Sequence, residues 1–113
     1  MAVQNKALFV SILIVSTFLG ALGQLLFKVG VNSQTTMLLL AFVIAGLVVY
    51  IISTVLYLYT LSRTHLSWAY SFGGLSYIFT SILAYFILGE EIPPLRWIGV
   101  LVIVVGVALI GMS

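Results

Sequence analysis

The chain has too little charge to make a water-soluble surface. Of its 113 residues, 5% are charged: four Lys or Arg and two carboxylates. A soluble domain carries about 25%, so this chain is an integral membrane protein. Cysteine is absent, which removes disulfides and Cys-based metal sites. One histidine and two adjacent carboxylates, Glu90 and Glu91, supply neither a set of metal ligands nor a hydrolytic constellation. There is no basic cluster, and a formal charge of +2 argues against nucleic acid as a partner. We therefore expect no enzyme, no metal and no cofactor. No charged residue falls at the centre of any apolar run, although intramembrane charges commonly mark ion pathways.

What the chain does have is apolar length. Hydrophobic residues make up 64% of it, and about 20 in a row are needed to cross the hydrocarbon core. Four runs qualify, at about 7–27, 36–61, 67–88 and 95–111. The expected fold is an all-α membrane protein, one domain over 1–113, with four transmembrane helices and loops short enough to force antiparallel neighbours. The runs are continuous rather than alternating, which disfavours a β-barrel. Met1–Lys6 is like the basic start of a signal peptide, but the apolar run behind it is too long for an h-region, so a retained span is expected. Lys6 and Arg63 fall on one side of the membrane, Lys28 and Arg96 on the other. This balance leaves orientation unset by charge and permits insertion both ways, or fixation by a partner.

Neutral polar and small residues remain inside the spans. Ser16, Gly20, Gly23, Gln24 and Phe27 share a face by helical spacing. Gln24 needs hydrogen-bond partners in the membrane: a substrate, a wet cavity or another helix. Lys28, one turn on, either snorkels to the headgroups or meets an anionic group. Tyr50, Ser53, Thr54 and Tyr57 form a stripe in the second span. Tyr70, Gly74, Tyr77 and Ser81 form one in the third. Such stripes serve packing, or line a groove with hydroxyls. Gly73-Gly74 is an expected kink, and His65 reads as a loop neighbour of Arg63.

Both prolines and both carboxylates lie in Leu88-Gly89-Glu90-Glu91-Ile92-Pro93-Pro94. Glu90 is expected to act structurally, pairing with Arg96 or capping the helix that the prolines start. In that helix Gly99 and Gly106 lie two turns apart on one face, where small residues let backbones approach. They are the expected dimer interface; contact within one subunit is the alternative.

These residues together resemble a known family. Gly23-Gln24-Leu25-Leu26-Phe27-Lys28, Leu66-Ser67-Trp68-Ala69-Tyr70-Ser71, Leu88-Gly89-Glu90, Trp97-Ile98-Gly99 and Gly106-Val107-Ala108-Leu109-Ile110 are similar in order and spacing to the drug/metabolite transporter superfamily in its four-helix, single-repeat form. Small multidrug resistance proteins share the length and the glycine-bearing last helix, through which that family forms antiparallel dimers. Their membrane-embedded glutamate falls at Gly20 here, and their third-helix tryptophan at Gly73. The chain more closely resembles the small EamA-like subunits of the undecaprenyl-phosphate-aminoarabinose flippase and related carriers. It does so at Gly23, Gln24 and Lys28, at Ala69 and Tyr70, at Glu90, and at Trp97 and Gly99.

The resemblance implies a multi-pass transporter of a prokaryotic plasma membrane, flipping a polyprenyl-phosphate-linked sugar or a similar amphipathic substrate by alternating access. The implied substrate-binding set is Gln24, Lys28, Tyr50, Tyr57, Arg63, Tyr70 and Tyr77, with the phosphate near Lys28 or Arg63. The implied partners are the bilayer, the substrate and either a second copy, for which the resemblance allows an antiparallel arrangement, or a paralogue. The alternatives are a proton-coupled exporter of cations or small metabolites, and a non-transporting accessory subunit.

Overall fold

In a computed structural model the described residues are 6–113; Met1–Asn5, read above as the start of a retained span, lie outside them. The helices are α1 (Lys6–Val31), α2 (Thr36–Leu61), α3 (Leu66–Ser71), α4 (Gly73–Ile87) and α5 (Pro94–Met112). They form four spans, because α3 and α4 together cross once. The all-α expectation holds, with one shift. Lys28 does not end the first helix but sits in the last turn of α1, where a cation complements the helix dipole. The third span is also interrupted at Phe72, next to the glycine pair where a kink was expected.

Local chemistry sets the ends. Thr35 caps α2, its hydroxyl accepting from the Leu38 N–H at 3.2 Å. Gly89 adopts φ 67°, which an L side chain resists. That turn lets the Glu90 N–H return to the Ala84 carbonyl at 3.1 Å. Pro94 opens α5, where its missing N–H costs nothing. Helix α5 has no acidic residue in its first turn and no side-chain cap, so Glu90 does not cap it. What Glu90 contributes to the turn is its backbone N–H.

Packing inverts the soluble pattern, since lipid is as apolar as leucine and offers no drive to bury it. On α2 only Gly46, Ser53 and Thr60 are buried, while Ile44, Leu47, Ile51, Val55 and Leu58 face outward. Those small residues, seven apart, meet a matching series on α1. A Cβ on Gly30 would stand 3.3 Å from the Leu39 carbonyl, and one on Gly23 3.1 Å from that of Gly46. Next along the seam, the Ser16 hydroxyl donates to the Ser53 carbonyl at 2.8 Å. The Ser53 hydroxyl donates back to the Ser16 carbonyl at 2.7 Å. The seam is thus an antiparallel zipper of small residues with a reciprocal serine clasp. Helix α4 docks on the other side of α1, the Ser76 hydroxyl donating to the Thr17 carbonyl at 3.0 Å.

A conventional apolar core lies towards the α1 N-terminal end, built from Phe9, Leu13, Trp68, Ala69, Phe72 and Val107. Helix α5 packs mainly against α3 and α4. The whole measures 50 × 33 × 17 Å. With helices about 10 Å across, that is a slab less than two helices thick.

Candidate functional site

The widest convergence of polar side chains is a cavity of about 200 Å³ between α1, α2 and the α3–α4 break. Its wall carries Ser16, Thr17, Ser53, Thr54, Ser76 and the three tyrosines Tyr50, Tyr57 and Tyr70, and no acid, Lys, Arg or His. The alternation of glycine, serine and tyrosine makes the space. Gly20 is buried in the wall, and a Cβ there would come within 3.3 Å of Ser53 Oγ and 3.4 Å of Ser76 Oγ. Gly73 opens freely onto the cavity, with nothing within 4 Å of an added Cβ.

The hydrogen bonds divide the lining into two classes. The five Ser and Thr hydroxyls each donate to a main-chain carbonyl: Ser16 to Ser53, Ser53 to Ser16, Thr17 to Ile14, Thr54 to Tyr50 and Ser76 to Thr17. Their protons are engaged, and their oxygens keep acceptor capacity. Tyr57 does the reverse: its hydroxyl is buried and has no partner. A buried unsatisfied hydroxyl costs about 1–3 kcal/mol. Thr60 Oγ1 and Trp68 Nε1 are also buried without partners.

Two further recesses lie at the end of the bundle where α1 finishes. One, of about 290 Å³, holds Gln24, Lys28, Thr80 and Glu90. Its neighbour, of about 150 Å³, holds Tyr77, Thr80, Ser81, Glu90 and Arg96. The α1 residues lining the cavity and those lining the Lys28 recess differ by about eight positions, or roughly 12 Å of helix rise. A Lys28 side chain leaning back towards the helix N-terminus shortens that gap.

The residues named from sequence therefore separate by depth. Tyr50, Tyr57 and Tyr70 share the cavity, Gln24 and Lys28 the first recess, and Tyr77 the second with Glu90 and Arg96. Arg63 sits at the opposite end, its guanidinium 5.5 Å from the centre of the Tyr59 ring. The strip of α1 read as one face divides: Ser16 and Gly23 meet α2, while Gln24 looks towards α4. Gly74 turns to α5, where an added Cβ would lie 2.9 Å from Ile103. Around Gly99 and Gly106 nothing lies within 4 Å of an added Cβ. Sequence reading missed the lining roles of Thr17 and Ser76 and the packing role of Gly46. The signal for Gly46 was the small residue recurring every seventh position, through Ser53 to Thr60, which hydropathy passes over.

Three of the four apolar spans enclose the polar cavity, and the chain matches the EamA-like transporter family over residues 4–112. The chain belongs to that family. Neither the comparison with curated proteins nor that with solved structures returned a match. As an EamA-like transporter it is a multi-pass membrane protein. Gly20, where small multidrug resistance proteins carry their carboxylate, is buried in the cavity wall. Nothing in that wall offsets the desolvation of a cation.

Proposed function

We propose that this transporter is a flippase for a lipid-phosphate-linked sugar, working as a dimer in a prokaryotic plasma membrane. The observation that carries the reading is the uncharged cavity, whose bound Ser and Thr hydroxyls offer acceptors and whose Tyr57 hydroxyl offers an unmet donor. Sugar hydroxyls both donate and accept, and they carry no charge to desolvate. Lys28 and Gln24 suit the phosphate at the membrane edge, while the lipid tail stays in the bilayer.

The slab-like subunit supports the dimer, since a chain 17 Å thin leaves its cavity open on one side. A second copy would close it, and the open surface at Gly99 and Gly106 suits close helix contact. An antiparallel pair would create the inverted repeat around a midplane site that transporters use. In proteoliposomes carrying a fluorescent polyprenyl-phosphate sugar, Gln24→Ala and Lys28→Ala are each expected to slow translocation about tenfold, the scale of a lost hydrogen bond to a charged group. Unchanged rates in both remove these residues from the site. Mass spectrometry of co-purifying lipid should find a polyprenyl phosphate; its absence from a transport-active preparation counts against the substrate class.

A further inference from the structure

The two recesses beside Lys28 share one wall, made by Thr80, Ala84 and Glu90. Lys28 lines one of them and Arg96 the other. Glu90 stands on the ridge between them, and its place is fixed by the backbone. The left-handed turn at Gly89 and the bond from its own N–H to the Ala84 carbonyl hold it against α4. Glu91 lines neither recess. The structure thus sets a single carboxylate between two cations at one membrane face.

We propose that Arg96 is a second binding residue for the headgroup anion, acting with Lys28, and that Glu90 is a built-in competitor for those cations. This deepens the reading of the Lys28 recess given above and rests on it. A phosphate oxyanion settling over the ridge meets a guanidinium, which favours fork-like recognition, and an ammonium on the other side. It also meets the Glu90 carboxylate, which repels it at short range. A transporter needs that opposition, because a headgroup held by two cations without a competitor leaves slowly. Arg63, at the far end of the bundle, has no part in this site, so the anion-binding pair is Lys28 with Arg96 rather than Lys28 with Arg63.

The opposite signs at neighbouring residues make a sharp test. The full chain in nanodiscs is titrated with a short prenyl monophosphate and, separately, with the corresponding uncharged prenyl alcohol, both read by native mass spectrometry. Wild type is expected to prefer the phosphate. Arg96→Gln should weaken phosphate binding about tenfold and leave the alcohol unchanged, with Arg96→Lys recovering part of the loss. Glu90→Gln should tighten phosphate binding several-fold, and Glu91→Gln and Arg63→Gln should leave it unchanged. Helical content by circular dichroism confirms that each variant is folded.

If Arg96→Gln binds phosphate as wild type does, or Glu90→Gln binds it more weakly, the proposal is overturned, and in the second case Glu90 is a structural partner of Arg96. An effect of Arg63→Gln or Glu91→Gln equal to that of its counterpart overturns it too, by showing a general charge effect. A wild type with no preference for phosphate over alcohol brings down the Lys28 recess as a headgroup site, and this inference with it.

Discussion

Small residues recur every seventh position in two parts of this molecule and do different things there. In the α1–α2 seam they are filled: Gly23 and Gly46 bring their backbones within about 3 Å of an added Cβ, and Ser16 and Ser53 exchange hydrogen bonds. On α5 the same spacing, Gly99 to Gly106, faces open space. One pattern is satisfied within the chain and the other is uncovered there. The spacing shows that close helix approach is intended, but only the fold tells with which helix.

The largest effect should come from filling the satisfied seam. A Cβ at position 46 already lies 2.8 Å from the Phe27 ring and 3.0 Å from the Gly23 carbonyl. Gly46→Leu is expected to cost about 3 kcal/mol or to prevent folding, read by denaturant unfolding of the detergent-solubilised chain. A variant as stable as wild type would mean that α1 and α2 are not this close. Next is the open pattern. Gly106→Leu should keep the monomer folded and inserted but abolish the dimer in cross-linking or mass photometry; a surviving dimer moves the interface off α5.

The clasp should show smaller but coupled effects. Ser16→Ala and Ser53→Ala are each expected to destabilise by about 1 kcal/mol. Because each hydroxyl serves the other's carbonyl, their sum should exceed the double variant's loss. Strict additivity in that cycle would show that the two bonds are independent. The smallest shift concerns Tyr57→Phe. Removing an unpartnered buried hydroxyl should leave stability unchanged or raise it by about 1 kcal/mol, while translocation falls. If stability falls instead, the hydroxyl has a partner within the fold.

Much of the architecture was legible in the sequence, because a 20-residue apolar run has few alternatives to a span. Boundaries came within a few residues, except that α1 runs on through Lys28 to Val31. A lysine read as a stop is a good helix former, and the last turn is where its charge belongs. The glycine pair at 73–74 and the proline start of α5 were also readable, since both act through local backbone chemistry. The site was legible in residue type but not in grouping. Tyr50, Tyr57 and Tyr70 were named, yet their convergence depends on how α2 faces the α3–α4 break. The division of α1 between two neighbours was hidden as well. Gln24 and Gly23 are adjacent in sequence, and a rotation of about 100° sends one to α4 and the other to α2.

The serine clasp has a consequence for how the protein is made. Every partner in the α1–α2 seam lies between Lys6 and Leu61, so the tightest contact in the molecule needs no residue of the later helices. A nascent hairpin can close its hydroxyls on each other's carbonyls at once and enter the bilayer with those polar groups already satisfied. Helix α4 then has a finished surface, the Thr17 carbonyl, to dock against, and α5 arrives last with its glycines uncovered.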